Sequence, residues 1–120
     1  MAGRARAAVR EFASSHGAVD STVADIALAV SEAISNVIHH AYRDGQETGE
    51  VVLEADRDGD QIAIVISDKG AGMMPRVDTP GLGLGLPMIA SLADALEVRV
   101  RPSGGTEVHM RFDLARDPAW

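Results

Sequence analysis

Between Gln61 and Ser67 the chain reads Ile62-Ala63-Ile64-Val65-Ile66, with no polar residue. So short an apolar run, rich in β-branched side chains and flanked by turn residues, predicts a strand. Because successive side chains point to opposite faces, apolar residues at every position place that strand in the middle of a sheet. The segments around it have the other kind of pattern. Val51, Leu53 and Ala55 alternate with Val52, Glu54 and Asp56, the signature of a half-buried strand, and Arg57-Asp58-Gly59-Asp60 turns the chain between the two. This is a hairpin. A second pair follows later: Leu96, Val98 and Val100 alternate with Glu97, Arg99 and Arg101, then Pro102-Ser103-Gly104-Gly105 leads to Val108, Met110 and Phe112 alternating with His109 and Arg111. Arg99 and Arg111 are expected on a solvated sheet face.

Elsewhere the period changes to that of a helix. Ala5, Ala8, Val9 and Phe12 share one face of a helix expected over Arg4 to His16, which Gly17 ends because glycine suits the left-handed position past a helix. Asp20, Ser21 and Thr22 offer N-cap oxygens for a long second helix reaching about Tyr42, with Val23, Ile26, Val30, Ile34, Val37 and Ala41 as its apolar stripe. A third helix follows Gly81-Leu82-Gly83-Leu84-Gly85-Leu86 and runs to about Ala95, with Pro87 in its first turn and Leu86, Ile89, Ala90 and Ala93 buried. The order α-α-β-β-α-β-β leaves three amphipathic helices in need of one apolar surface. The expected fold is α+β, a two-layer α/β sandwich with the helices on one face of a mixed, mainly antiparallel sheet.

Composition narrows the function. The 120 residues make one domain, and with aromatics at 3% its core is built from Ala, Val, Ile, Leu and Met. The absence of cysteine excludes disulfides, thiolate metal sites and a cysteine nucleophile. A net charge of −7 argues against nucleic acid as a partner. No apolar run approaches the roughly 20 residues that span a bilayer. Met1-Ala2-Gly3-Arg4-Ala5-Arg6 lacks the apolar core of a secretory signal, so a cytoplasmic protein without membrane contact is expected.

Three segments carry possible chemistry. On the second helix Asp25, Glu32, Asn36, His39 and Arg43 lie together, away from the stripe. Glu32 and Asn36 are one turn apart, with Cβ atoms about 5–6 Å from each other. They are either part of a solvated face or a carboxylate and an amide oxygen aimed at one small target. Asp68, ending the apolar strand before Gly70 and Gly72, either begins a turn or accepts a proton from the exocyclic amine of adenine, with the glycines letting the base lie against the backbone. Gly81, Gly83 and Gly85 precede a helix, where exposed N–H groups can surround phosphate oxygens; a plain flexible loop has the same composition.

Taken in this order, Glu32 and Asn36, then Asp68-x-Gly70-x-Gly72, then Gly81-x-Gly83-x-Gly85, the segments resemble the GHKL class of ATP-binding domains (the Bergerat fold). Ser31-Glu32-Ala33-Ile34-Ser35-Asn36, His40-Ala41-Tyr42 and Gly81-Leu82-Gly83-Leu84-Gly85-Leu86-Pro87 are most similar to the bacterial anti-sigma-factor serine/threonine kinases. The resemblance covers residues 1–120 as a single histidine-kinase-like ATPase domain lacking the usual leading strand, and so implies a weak homodimer or a monomer. It implies ATP and Mg²⁺ as cofactors, Glu32 as the general base and Asn36 as the Mg²⁺ ligand. Asp68 would read adenine, supported by Gly70 and Gly72. Gly81, Gly83 and Gly85 would hold phosphate, and Thr106 would help bind the base. The implied substrate is a serine of an anti-anti-sigma (STAS-domain) protein, and the implied second partner is a sigma factor. Alternatives are a switch kinase without sigma binding, a histidine-kinase module, and an ATP-binding regulator without catalysis. The last has no use for a base at Glu32.

Overall fold

A computed structural model describes residues 2–41, 51–68, 82–100 and 106–115. Helix α1 spans Ala2–Ser15 and α2 spans Asp20–Ala41. The hairpin of β1 (Val51–Asp58) and β2 (Gln61–Asp68) precedes α3 (Leu82–Leu92), and β3 (Ala95–Val100) and β4 (Thr106–Asp113) follow it. The sheet order is β1-β2-β4-β3, so the apolar strand β2 is interior as its pattern requires. Every strand pairing among the described residues is antiparallel, which corrects the mixed sheet expected from the sequence.

Register decides which side chains form the core. Ile62 faces Phe112, Ile64 faces Met110 and Ile66 faces Val108 across β2 and β4. All six are almost fully buried, together with Val9 and Ala13 of α1, Ile26, Val30 and Ile34 of α2, and Ile89 of α3. The helices therefore cover one face. Ala63 and Val65 point the other way and are only half-buried. Their small, apolar side chains suit a strand flanked on both sides without a second layer above it.

The junction from α1 to α2 follows its sequence closely. Gly17 has φ +93°, its N–H bonds to Ser14 O at 3.3 Å, and the Ala18 N–H reaches back to Ala13 O at 3.0 Å. These paired bonds make a Schellman cap. Gly17→Ala is therefore expected to lower stability by about 1–2 kcal/mol, the cost of a side chain in the left-handed region, measurable as a shift in the urea midpoint. At the hairpin only Gly59 (φ +61°) and Asp60 lie between the strands, and Asp60 is not left-handed. Glycine at the first central position is the type II′ pattern.

Several boundaries differ from expectation. The first carbonyl of α2 to be used is that of Val19, which accepts from Val23 N–H at 2.9 Å, so none of Asp20, Ser21 and Thr22 stands at the cap position. Thr22 is instead buried and donates its hydroxyl to Asp113 O at 3.2 Å, tying α2 to the end of β4. Around that point Val19 N–H bonds to Leu114 O, Leu114 N–H to Asp60 O, and Asp113 N–H to the Asp94 carboxylate at 2.7 Å. This end of the sandwich is a knot of structural bonds. Helix α3 stops at Leu92 rather than Ala95, and it starts at Leu82, so Gly83 and Gly85 are helical and Pro87 lies inside the helix, not in its first turn. In a helix interior each glycine costs about 1 kcal/mol and a proline about 3 kcal/mol relative to alanine.

Candidate functional site

At the end of the sheet away from the knot, Asp68 of β2 stands directly opposite Thr106 of β4. Both are 0% exposed. Directly opposed residues have Cα atoms about 4.5–5.5 Å apart, so a carboxylate and a hydroxyl are enclosed together at the rim of the sheet. On its other side Asp68 is paired with Val51 of β1. Burying a carboxylate is costly, and a chain that needed only a turn here had no reason to enclose one.

Helix α2 leads to the same end. Its Thr22 is anchored to Asp113, and the helix packs on both β2 and β4. At about 1.5 Å per residue the helix advances roughly 21 Å from Thr22 to Asn36. At about 3.3 Å per residue β4 covers a comparable roughly 23 Å from Asp113 back to Thr106. A helix lying along β4 from that anchor would end level with the Asp68–Thr106 pair.

The buried arc of α2 is wider than its apolar stripe. Ala29 and Ala33 are sealed, as are Thr22 and Ala27. Asp25, Glu32 and Asn36 consequently sit on the flank of that arc and are half-buried, rather than on a solvated back face. For Asn36 the enclosure goes further: its Nδ2 is buried with no hydrogen-bond partner among the described residues. A half-turn of the amide exchanges its two ends, so the site can equally present the carbonyl oxygen to a cation. A buried, unsatisfied amide end normally costs about 1–3 kcal/mol, which a ligand would recover. No set of three His, Cys, Asp or Glu among the described residues is placed to hold a metal. Mg²⁺ tolerates such a site because it keeps waters and binds phosphate oxygens directly.

Of the other residues singled out in the sequence, Gly70, Gly72 and Gly81 lie outside the described residues, as do Arg43 and the side chains of His39 and His40. Gly83 and Gly85 belong to α3. One polar group escaped the sequence reading: Ser67 is 2% exposed, and its Oγ has no partner among the described residues. Strand alternation directs it to the face opposite Asp68. Its only signal was a hydroxyl closing an apolar run.

The open face of the sheet is a separate, solvated surface. Arg111 reaches over Ala63 to Asp58 at 2.9 Å, and His109 Nε2 lies 2.9 Å from Glu107. Arg99 bonds Glu97 at 2.9 Å, which lowers the Glu97 carboxyl below its usual range and raises the Arg99 guanidinium. The lowered carboxyl favours folding above its ordinary pKa, and the effect is lost as pH falls through the folded value. Full exposure leaves this contribution small. A shallow groove of about 340 Å³ between Ala95, Leu96, Glu97, His109 and Arg111 is formed by these already paired groups. The expectation for Arg99 and Arg111 holds.

Comparison with known proteins agrees with this fold. The family described as histidine kinase-like ATPase domain matches residues 1–112. An anti-sigma F factor of Clostridium beijerinckii is 36% identical over 115 residues, which cover 87% of this chain and 80% of that protein. The crystal structure of the RsbU and RsbW domains of a Mycobacterium tuberculosis protein superposes with a TM-score of 0.73 at 28% identity, over 97% of this chain. The present chain spans 30% of that longer one. The histidine kinase domain of the Erythrobacter litoralis blue-light-activated kinase gives 0.66 at 27% identity, over 94% of this chain and 63% of the other.

Proposed function

The chain belongs to the histidine kinase-like ATPase domain family, and from that premise we propose that it is a protein serine/threonine kinase of the anti-sigma-factor type. In this reading it transfers phosphate from ATP to a serine of a STAS-domain antagonist and binds a sigma factor according to that antagonist's state. The observation that carries the proposal is the enclosed pair of Asp68 and Thr106 at the end of the sheet. A neutral, amine-bearing base fits an enclosed carboxylate. Guanine would set a carbonyl oxygen against it.

The roles follow from what each group can do. Asp68 accepts a hydrogen bond from the adenine amine, and Thr106, across the ladder, can donate or accept beside it. Asn36 offers the amide oxygen for Mg²⁺, and Mg²⁺, when bound, would neutralise charge on the phosphates being separated. Glu32, one turn before Asn36 and half-exposed, takes the proton from the incoming serine hydroxyl. Its partial exposure leaves room for a protein substrate to approach.

The test is radiolabelled transfer from ATP to a STAS-domain protein, with capture of sigma factors in the presence and absence of ATP. Transfer together with ATP-dependent capture is the expected result. ATP binding without transfer to any STAS protein would leave a regulator that acts by binding alone. Asn36→Ala should weaken Mg²⁺-ATP more than it weakens metal-free nucleotide, by roughly tenfold or more, as for a lost ligand to a charged group. Calorimetry with and without Mg²⁺ checks this.

A further inference from the structure

We infer that α3 has two alternative starts, at Leu82 and at Pro87, and that nucleotide selects the shorter helix; the second part rests on the ATP-binding reading above. Pro87 lies within the helix and is exposed. It has no N–H, so the carbonyl of Gly83, four residues back, loses its helical donor, and the ring crowds that carbonyl. Proline also disfavours the helical conformation of the residue before it, here Leu86. Gly83 and Gly85 add the largest loss of backbone freedom of any residue type. All of these effects oppose the helix from Leu82 to Leu86.

From Pro87 onward every effect reverses. A proline at the first helical position costs no hydrogen bond and arrives with its φ already set. Ile89 is fully buried, Ala93 N–H bonds to Ile89 O at 2.9 Å, and the Ser91 hydroxyl bonds to Met88 O at 2.7 Å. The helix is thus held firmly in its second half and weakly in its first. Unwinding to Pro87 frees the N–H groups of Gly85, Leu86, Met88 and Ile89 beside those of the first turn, which have no helical acceptor in either form, and it lets Gly83 and Gly85 turn to either hand. Successive free N–H groups of this kind form a concavity for anionic oxygens, which fits the phosphate chain of a nucleotide. The long helix is then a resting form that competes with binding.

Pro87→Ala separates these possibilities, because it supplies the missing N–H on an exposed surface and leaves the core untouched. In the nucleotide-free protein, amide exchange at Leu86, Met88 and Ile89 reports the first half of α3, since a start at Pro87 leaves those three without helical acceptors. Pro87→Ala should slow their exchange by roughly tenfold or more, as expected when a helix-interior proline is removed, while exchange in β2 is unchanged. Equal exchange in parent and variant overturns the two starts. Mg²⁺-ATP should bind the variant roughly tenfold more weakly, because it must unwind a more stable helix. Slowed exchange with unchanged ATP affinity overturns the coupling to nucleotide. If neither protein binds ATP, it is the nucleotide reading that fails, and the exchange comparison still decides the helix.

Discussion

Glu32→Gln should bind Mg²⁺-ATP as the parent does and transfer phosphate to a protein substrate about 10²- to 10⁴-fold more slowly, the usual worth of a general base. Glutamine keeps the length of the side chain and can still hydrogen-bond a hydroxyl, but it cannot accept the proton that the attacking serine must lose. Glu32 is half-buried on the flank of α2, one turn from Asn36, so the substitution disturbs no core contact. The assay is radiolabelled transfer at saturating ATP with substrate in excess, alongside calorimetry for nucleotide affinity. A variant that transfers at the parent's rate would reduce Glu32 to a surface carboxylate and remove the kinase mechanism. A variant that fails to bind ATP would show that Glu32 helps hold nucleotide.

Asp68→Ala should lose adenine recognition. A hydrogen bond to a charged group is worth about 1.5–3 kcal/mol, so the affinity for ATP should fall about 10- to 150-fold. Because Asp68 is fully enclosed at the end of an interior strand, the alanine variant also risks local collapse. Asp68→Asn is the control: it keeps the volume and removes the charge. It should fold with a parent-like circular dichroism spectrum and still discriminate poorly between ATP and GTP. The parent should prefer ATP strongly. Comparable ATP and GTP affinities in the parent would take Asp68 out of the base-reading role, whatever its variants do.

Much of this architecture was legible because it is written in local periods. The change from a 3.6-residue to a two-residue period marks the helices and strands. The unbroken apolar run identifies the interior strand β2, and Gly17 and Gly59 mark two chain reversals. Where the reading slipped, a local signal competed with a distant one. Asp20, Ser21 and Thr22 are good capping residues, but the hydroxyl of Thr22 found a carbonyl of β4 instead. Pro87 resembles a helix start, yet α3 begins at Leu82. The polar flank of α2 read as a solvated face because alanines carry little hydrophobic signal. Ala29 and Ala33 are nevertheless sealed, and they draw Glu32 and Asn36 toward the protein.

The chain alone determined the element order, the hairpins and the interior position of β2, since each of these depends on neighbours within a turn or two. It could not determine that Asp68 and Thr106 would meet. A period of two says which face a strand residue occupies, but not which residue of another strand stands opposite, and β2 and β4 are separated in sequence by α3 and β3. Their antiparallel register was decided by the fit of Ile62, Ile64 and Ile66 against Phe112, Met110 and Val108 beneath three helices. A slip of one residue would turn every one of those side chains out of the core. The same packing that forbids the slip places a carboxylate beside a hydroxyl at the sheet's end, so the site is a consequence of the core.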